Sequence, residues 1–508
     1  MYYFVPAWYQ EKFSLPWQYI SKEVEFDDTI NQVRMFKQQN LDTELIILNY
    51  MPNLASFLHR QQIFDVSSWS LFDEIQGIQQ NQEKQWQPFN YKELNWPSDV
   101  AFITTPFITV AMIQHEIYAK IYFNEAGGVL WIEQFNSNQL NQKFVIDDRG
   151  FVSCVQIYQE GKHIKTTYMN MSSEIQMIHW IENDSYEIVQ SAEIYHKLNQ
   201  HTFKSLDLLT ETILQLKMVE MNHIDALVIA TDEHHNKYFL NREMPVKKVF
   251  SFFSERNKND SFVEISNSQD VDLIVVDSDS HFTQLDTANI QVPMTIISPY
   301  DSRLNLGASQ EIKENYIWVN IDNINRELVD TISELMSKEI RRNPDIRVLF
   351  ASYTGQTEKN VEIEHLAQKW NNSLTPEKTF EEKINQLNTE EEEVDFFTFS
   401  LVREELDIIS AFSKVRLIID LGDLPHLYTQ IAGISAGIPQ INRLETAYVK
   451  HLENGYILNS VNDITIAIRY YLDTLKNWNI ALVSAIEKIA ENNSGELVNK
   501  WQKYLERR

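Results

Sequence analysis

The small-residue stretch Ala351-Ser352-Tyr353-Thr354-Gly355-Gln356-Thr357-Glu358 follows the apolar run Val348-Leu349-Phe350. A strand that enters such a loop and then a helix can aim several backbone N–H groups and hydroxyls at one point, the chemistry that holds a phosphate, with the helix dipole assisting. Asp277-Ser278-Asp279 stands directly after the apolar run Leu273 to Val276, with His281 nearby. Two such carboxylates could hold a divalent cation bridging a diphosphate, although strand ends in α/β lobes are commonly acidic with no metal bound. His234-His235 has only Asp232 and Glu233 as neighbouring ligands and no regular metal spacing, which predicts a solvated turn. Glu390 to Glu393 reads as an exposed charged loop before Val394-Asp395-Phe396. The chain contains no Gly-x-Ser-x-Gly elbow and no Walker loop.

The elements that must position these residues alternate for most of the chain. Tyr2 to Tyr9 reads as a short buried strand. A helix follows on the three-residue spacing Ile30, Val33, Phe36, with Asp28 or Thr29 as N-cap. A second strand at Leu45 to Leu48 and a helix at Leu54 to Phe64 complete a βαβα opening typical of a doubly wound sheet. Gln76 to Gln87 is Gln-rich and predicts a surface loop. From Ala101 to Ile188 the apolar runs are instead separated by turn signals: Glu125-Ala126-Gly127-Gly128, Asp147-Asp148-Arg149-Gly150 and Gly161. That pattern predicts an antiparallel meander inserted in the first lobe. Alternation then resumes with a helix near Ser205 to Glu220 and strands at Ala226 to Ala230, Val249 to Phe253, Leu273 to Val276 and Met294 to Ile297. A second alternating unit with parallel strands follows. The division expected is a first Rossmann-like lobe over 1–100 and 191–312, the inserted sheet over 101–190, a second Rossmann-like lobe over 313–492, and a terminal helix over 493–508 that crosses back to the first lobe.

Composition narrows the function. The formal charge of −28, from 72 acidic against 44 basic residues, argues against nucleic acid, whose phosphates demand clustered Lys and Arg. It also argues against unaided docking on an anionic membrane, apart from a local basic patch. One cysteine, Cys154, permits neither an intramolecular disulfide nor a multi-Cys zinc site. With no basic start leading into a long apolar run, and no stretch near the ~20 apolar residues that span a bilayer, a soluble cytoplasmic protein is expected.

Three resemblances sharpen this. The Thr354-Gly355 loop looks like the phosphate loop of flavodoxins, which would imply FMN. Ile317-Trp318-Val319, the helix to Ile340, and Asn343 to Phe350 resemble the opening of the second lobe of glycosyltransferases with the two-Rossmann (GT-B) architecture. Leu427 through Gly437-Ile438-Pro439-Gln440-Ile441, followed by Asn454-Gly455, resembles their nucleotide-sugar signature. On that pattern Leu424 and Ala432 fall where retaining enzymes carry glutamates. Ile321 falls on the first position of the basic pair, with the second near Arg326, and Pro6-Ala7-Trp8-Tyr9 replaces the usual Gly-Gly loop. With these departures the chain resembles the accessory Sec system protein family of Gram-positive bacteria, in its first member. The blocks that carry it are Met1 to Tyr9, Phe26 to Phe36, Ser298 to Gly307 and Gly433 to Asn442.

That resemblance implies a non-catalytic subunit that acts with two sibling accessory proteins and a motor ATPase in the export of glycosylated serine-rich-repeat adhesins. No catalytic residue, metal or cofactor is then expected, and membrane contact is peripheral, at the inner face. The cleft would hold glycosylated substrate by weak, multiple contacts. The residues best placed to touch a ligand are Thr354, Gly355, Gln440, Asn442 and Glu445, since ligands of open α/β sheets sit at strand C-termini. An active sugar-nucleotide-dependent glycosyltransferase is the first alternative, and a flavodoxin-like FMN protein is a more remote one.

Overall fold

The structure is a computed structural model and describes residues 1–9, 26–78, 88–105, 108–124, 126–257, 265, 270–287, 292–307, 309–355, 358–374 and 395–506. The chain divides into two compact units, one built mainly from Phe36–Val275 and the other mainly from Ile296 onward.

The first unit holds two sheets. Its parallel sheet has seven strands in the spatial order Met294–Ile296, Leu273–Val276, Lys247–Phe252, Ala226–Ala230, Tyr2–Val5, Thr43–Ile47, Ser67–Ser70. Numbered along the chain without the insertion, this is the order 3-2-1-4-5-6-7, which begins as the doubly wound Rossmann order does. Every residue of Ala226–Ala230 and Leu273–Val276 is buried, as a parallel sheet covered on both faces requires. The helix Asp28–Gln38 is capped by Asp27, whose carboxylate accepts the Ile30 N–H at 3.1 Å, one residue earlier than Asp28 or Thr29. A side-chain acceptor reaches the N–H three residues on, so Asp27 is the residue that can satisfy Ile30.

Between the third and fourth parallel strands lies a ten-stranded antiparallel sheet that runs from Ala101–Thr104 to Thr202–Phe203, each strand beside the next in sequence. Three of its hairpins turn on two residues that both have positive φ: Gln114-His115, Ser137-Asn138 and Glu160-Gly161. Such mirror-image turns match the right-handed twist of the flanking strands. The sheet is covered on different faces along its length. Ala111, Ala119, Ile121 and Ile132 pack under Phe89, Tyr91 and Trp96. Further along, Val145, Cys154, Tyr168 and Met177 pack on Leu71, Phe72, Leu209 and Ile213 of the parallel lobe's helices.

The second unit has six parallel strands in the order Phe397–Leu401, Ile346–Ser352, Asn315–Asn320, Val415–Asp420, Gln440–Asn442, Gly455–Ile457. In chain numbering this is 3-2-1-4-5-6, the Rossmann order, whereas a flavodoxin-like sheet would read 2-1-3-4-5. The strand order therefore overturns the flavodoxin reading. Residues alternate between two cores: Ile317 and Val319 face one, and Trp318 the other, with Ile418. The helix Leu427–Ala436 ends at Gly437 in the left-handed region, φ 71°, and Pro439 leads into the next strand.

Residues 79–87 of the Gln-rich stretch, Glu125, Gln356, Thr357 and the Glu390 to Glu393 run lie outside the described residues. Gln76 itself ends the helix Leu71–Gln76 and is buried, its amide donating to the Ser153 carbonyl at 3.0 Å. Among the described residues no helix is long and apolar enough to cross a membrane.

Candidate functional site

The reversal of strand order in the second unit puts the first strand, Asn315–Asn320, beside the fourth, Val415–Asp420, so a crevice opens where these two end. Each strand carries an apolar stretch, Ile317 to Val319 and Leu417 to Ile419, that runs into a polar last residue, and the register aligns Asn320 with Asp420 and Asp420 with Asn442. All three side chains are buried. Asp420 is the centre of the row: its carboxylate accepts Asn320 Nδ2 at 2.9 Å, the His426 N–H at 2.8 Å and the Gly422 N–H at 3.2 Å. Burial pushes its carboxyl above the usual carboxylate range, against the pull of the His426 and Gly422 N–H groups.

The helix Leu427–Ala436 starts at this edge, and its positive end would face an anionic ligand. That end is already occupied from within. His426 Nδ1 accepts the Thr429 N–H at 3.3 Å and caps the helix. The Tyr353 ring stacks on the imidazole, with centroids 3.8 Å apart and planes 20° from parallel. The Tyr353 hydroxyl lies 2.5 Å from Thr429 Oγ1. Tyr353 is held in turn by Asp322, which accepts its N–H at 2.6 Å and the hydroxyls of Ser352 and Thr354 at 2.6 and 3.1 Å. Lys359, the ammonium on the next helix, donates to the carbonyls of Ile321, Asp322 and Ile324, and burial lowers its pKa.

The five residues expected to touch a ligand fall in two groups. Thr354 and Gly355 are exposed at the end of Ile346–Ser352, and the Gly355 carbonyl accepts Asn360 Nδ2 at 2.8 Å. Gln440 and Asn442 are buried on a strand three positions away, about 14 Å at the usual strand spacing. Gln440 Nε2 donates to the Gln430 carbonyl at 2.8 Å. Its Oε1 and both amide atoms of Asn442 are buried with no partner among the described residues. Glu445 is exposed, accepts the His451 N–H at 3.0 Å and is thereby held below its ordinary pKa. The Asn320–Asp420 pair bridges the two groups. Asp322, Tyr353, Asp420 and His426 were not among the expected residues. A strand-terminal Asp and a His directly before a helix are the signals that mark Asp420 and His426, while Tyr353 carries no local signal.

The sequence resemblance to glycosyltransferases singled out Ile321, Arg326, Leu424 and Ala432. Ile321 is fully buried, Ala432 packs into the core, and Leu424 is exposed, its carbonyl accepting Asn323 Nδ2 at 3.2 Å. Arg326 pairs with Asp330 at 3.3 Å and Glu362 at 3.4 Å, at an open groove of about 860 Å³ also lined by His365 and Lys369.

Of the other chemistry-bearing residues, Asp277 and His281 are buried and bonded to each other at 3.2 Å, with Tyr448 donating to the Asp277 carbonyl. Among the described residues no group of three or more His, Cys, Asp or Glu is placed to hold a metal. The solvated turn expected at His234-His235 is wrong for His235. That ring is fully buried at the crevice of the first sheet, with Nε2 2.6 Å from the Ala230 carbonyl and Nδ1 3.0 Å from the Tyr9 hydroxyl. Burial lowers its pKa to about 4, and partners at both ring nitrogens, the Ala230 carbonyl and the Tyr9 hydroxyl, make that burial tolerable.

Solved structures similar to this chain include glycosyltransferases and accessory secretory proteins. Among glycosyltransferases, the pneumococcal O-GlcNAc transferase GtfA matches with a TM-score of 0.71 over 99% of this chain and 98% of that one, at 11% identity, which establishes the GT-B glycosyltransferase-like fold and nothing finer. The crystal structure of accessory secretory proteins 1, 2 and 3 of Streptococcus pneumoniae matches at a TM-score of 0.77 and 30% identity, covering 100% of this chain and 99% of that one. The Glycosylation Associate Protein complex of Streptococcus agalactiae matches at the same score and identity, over 99% and 100%. The accessory Sec system protein 1 of Streptococcus gordonii is 32% identical over 99% of both chains, and that of Staphylococcus aureus 29% identical over 100% of this chain and 99% of its own. The family model for accessory Sec system protein 1 matches residues 1–508, and this chain belongs to that family.

Proposed function

We propose that the chain is a non-catalytic, glycosyltransferase-like subunit of accessory Sec export in the cytoplasm, which binds glycosylated serine-rich-repeat adhesins and escorts them to the motor ATPase and channel. The observation that carries the loss of catalysis is the helix at Leu427, whose N-terminus is capped by His426 and covered by Tyr353. A donor diphosphate needs that end free, together with cations to neutralise the leaving phosphates. Here Lys359 is committed to backbone carbonyls, Arg326 to carboxylates, and Leu424 and Ala432 offer no acid. At the matching strand ends of the first lobe, the Tyr9 hydroxyl is likewise bonded to the buried His235 ring.

Relatives solved as a complex of accessory secretory proteins 1, 2 and 3 support an assembly with the two siblings, through which peripheral contact with the inner membrane face would arise. In this reading Thr354, Gly355 and Glu445 are exposed contacts for the glycosylated chain, with Gln440 and Asn442 as unspent hydrogen-bonding capacity behind them. Each contact is weak, and repetition along the adhesin supplies avidity.

The test pairs two measurements on the full chain with its siblings. In a coupled assay with several sugar-nucleotide donors and a serine-rich acceptor, no nucleotide release is expected; release would make it an active transferase. In a pull-down, a glycosylated serine-rich peptide should be retained and its unglycosylated form should not. Equal retention would reduce the chain to a scaffold without glycan affinity.

A further inference from the structure

The inserted sheet meets the parallel lobe of its own unit at the turn Asp147–Gly150, which joins Gln139–Ile146 to Val152–Gln159. This turn grips two helices. The Asp148 N–H donates to the Pro52 carbonyl at 2.9 Å, and Asp148 Oδ2 accepts the N–H of Ser56, in the first turn of Leu54–Arg60, at 2.5 Å. The Arg149 guanidinium forms a fork on Asp73 of the helix Leu71–Gln76, at 2.9 and 2.8 Å, and a second one on Asp147, at 2.6 and 2.8 Å. Three carboxylates thus face one cation, and the cation is spent on two of them. Asp148 Oδ1 is buried with no partner among the described residues.

We propose that the Asp147–Gly150 turn is a pH-sensitive latch between the inserted sheet and the first lobe, with Asp148 as its titrating group. The charged groups facing Asp148 are Asp147 and Arg149 on the turn; burial raises the Asp147 carboxyl too, against the pull of the Arg149 fork that holds it, and Asp73 on the helix Leu71–Gln76 faces Arg149 and Asp147. The helix Leu54–Arg60 has no acid in its first turn, and its basic residues, His59 and Arg60, are in its last. A proton on Asp148 removes the charge from the buried, unpartnered oxygen and with it the repulsion from Asp147. Burial first, and Asp147 second, push this carboxyl from its ordinary 3.8 to about 7. The sign follows from linkage: the closed turn holds its proton where the opened turn has lost it, so closure weakens as pH rises from the ordinary value through about 7 and levels off above. With those two values, opening should become about tenfold more frequent between pH 6 and pH 8.

Hydrogen–deuterium exchange on the full chain tests this in peptides that contain the Ser56 and Asp148 amides, with the intrinsic rate divided out. The expected result is the tenfold rise in the wild type and a flat profile in Asp148→Asn. A flat wild-type profile, or an undiminished rise in Asp148→Asn, overturns the proposal. Should Asp148→Asn fail to fold, the wild-type profile decides alone: a midpoint at or above about pH 6 supports the latch and one below it refutes it.

Discussion

Replacing Asp420 by Ala removes one carboxylate and orphans three donors at the crevice of the second unit: Asn320 Nδ2 and the N–H groups of Gly422 and His426. A buried donor left unsatisfied costs about 1–3 kcal/mol, and partial relaxation recovers some of it, so the summed loss should be about 4 kcal/mol. For a unit of this size that lowers the melting temperature by about 8–16 °C. Because the chain has two units, the transition belonging to the second should move while the first stays in place, which calorimetry resolves. Asp420→Asn tests the electrostatic half of the reasoning. Burial raises the folded carboxyl above its ordinary range, so the folded state favours the proton, and wild-type stability should fall as pH rises from that range through the folded value. The Asn variant lacks that dependence. An Asp420→Ala transition within about 2 °C of the wild type, against the shift expected from three orphaned donors, would refute the claim that this residue anchors the crevice.

Gly437→Ala should destabilise the second unit by about 2–4 kcal/mol in urea unfolding, since it strains a left-handed position at φ 71° and sets a Cβ 2.3 Å from Leu482 Cδ1. Arg149→Met should destabilise the first unit by about 3–5 kcal/mol, because it leaves the Asp73 and Asp147 carboxylates buried without their cation; thermal unfolding checks this. Cys154 is buried and its thiol is pushed up to about 12, so iodoacetamide should leave it intact in the native chain and alkylate it fully in denaturant, read by intact mass.

The two Rossmann-type lobes were legible because doubly covered parallel strands must be continuously apolar, as Ala226–Ala230 and Leu273–Val276 are, and because helices of ordinary length separate them. The meander was legible where glycine marks its turns, at Gly127, Gly150 and Gly161, and poorly legible where it does not. Gln114-His115 and Ser137-Asn138 adopt positive φ without glycine, which the cooperative pairing of the flanking strands imposes. Gln440 and Asn442 were expected at a strand C-terminus; Asn442 ends its strand level with Asp420, whereas Gln440 opens it level with Ile418, and their burial and distance from Thr354 depended on strand order.

Local chemistry written along the chain determined the elements, the acidic balance and the family. Only the tertiary structure decided which side chains meet at the strand ends. Tyr353 reaches His426 from a strand seventy-odd residues away, and Tyr9 reaches His235 across more than two hundred. Such pairings have no period and no spacing to read, because they exist only once parallel strands bring distant ends of the chain side by side.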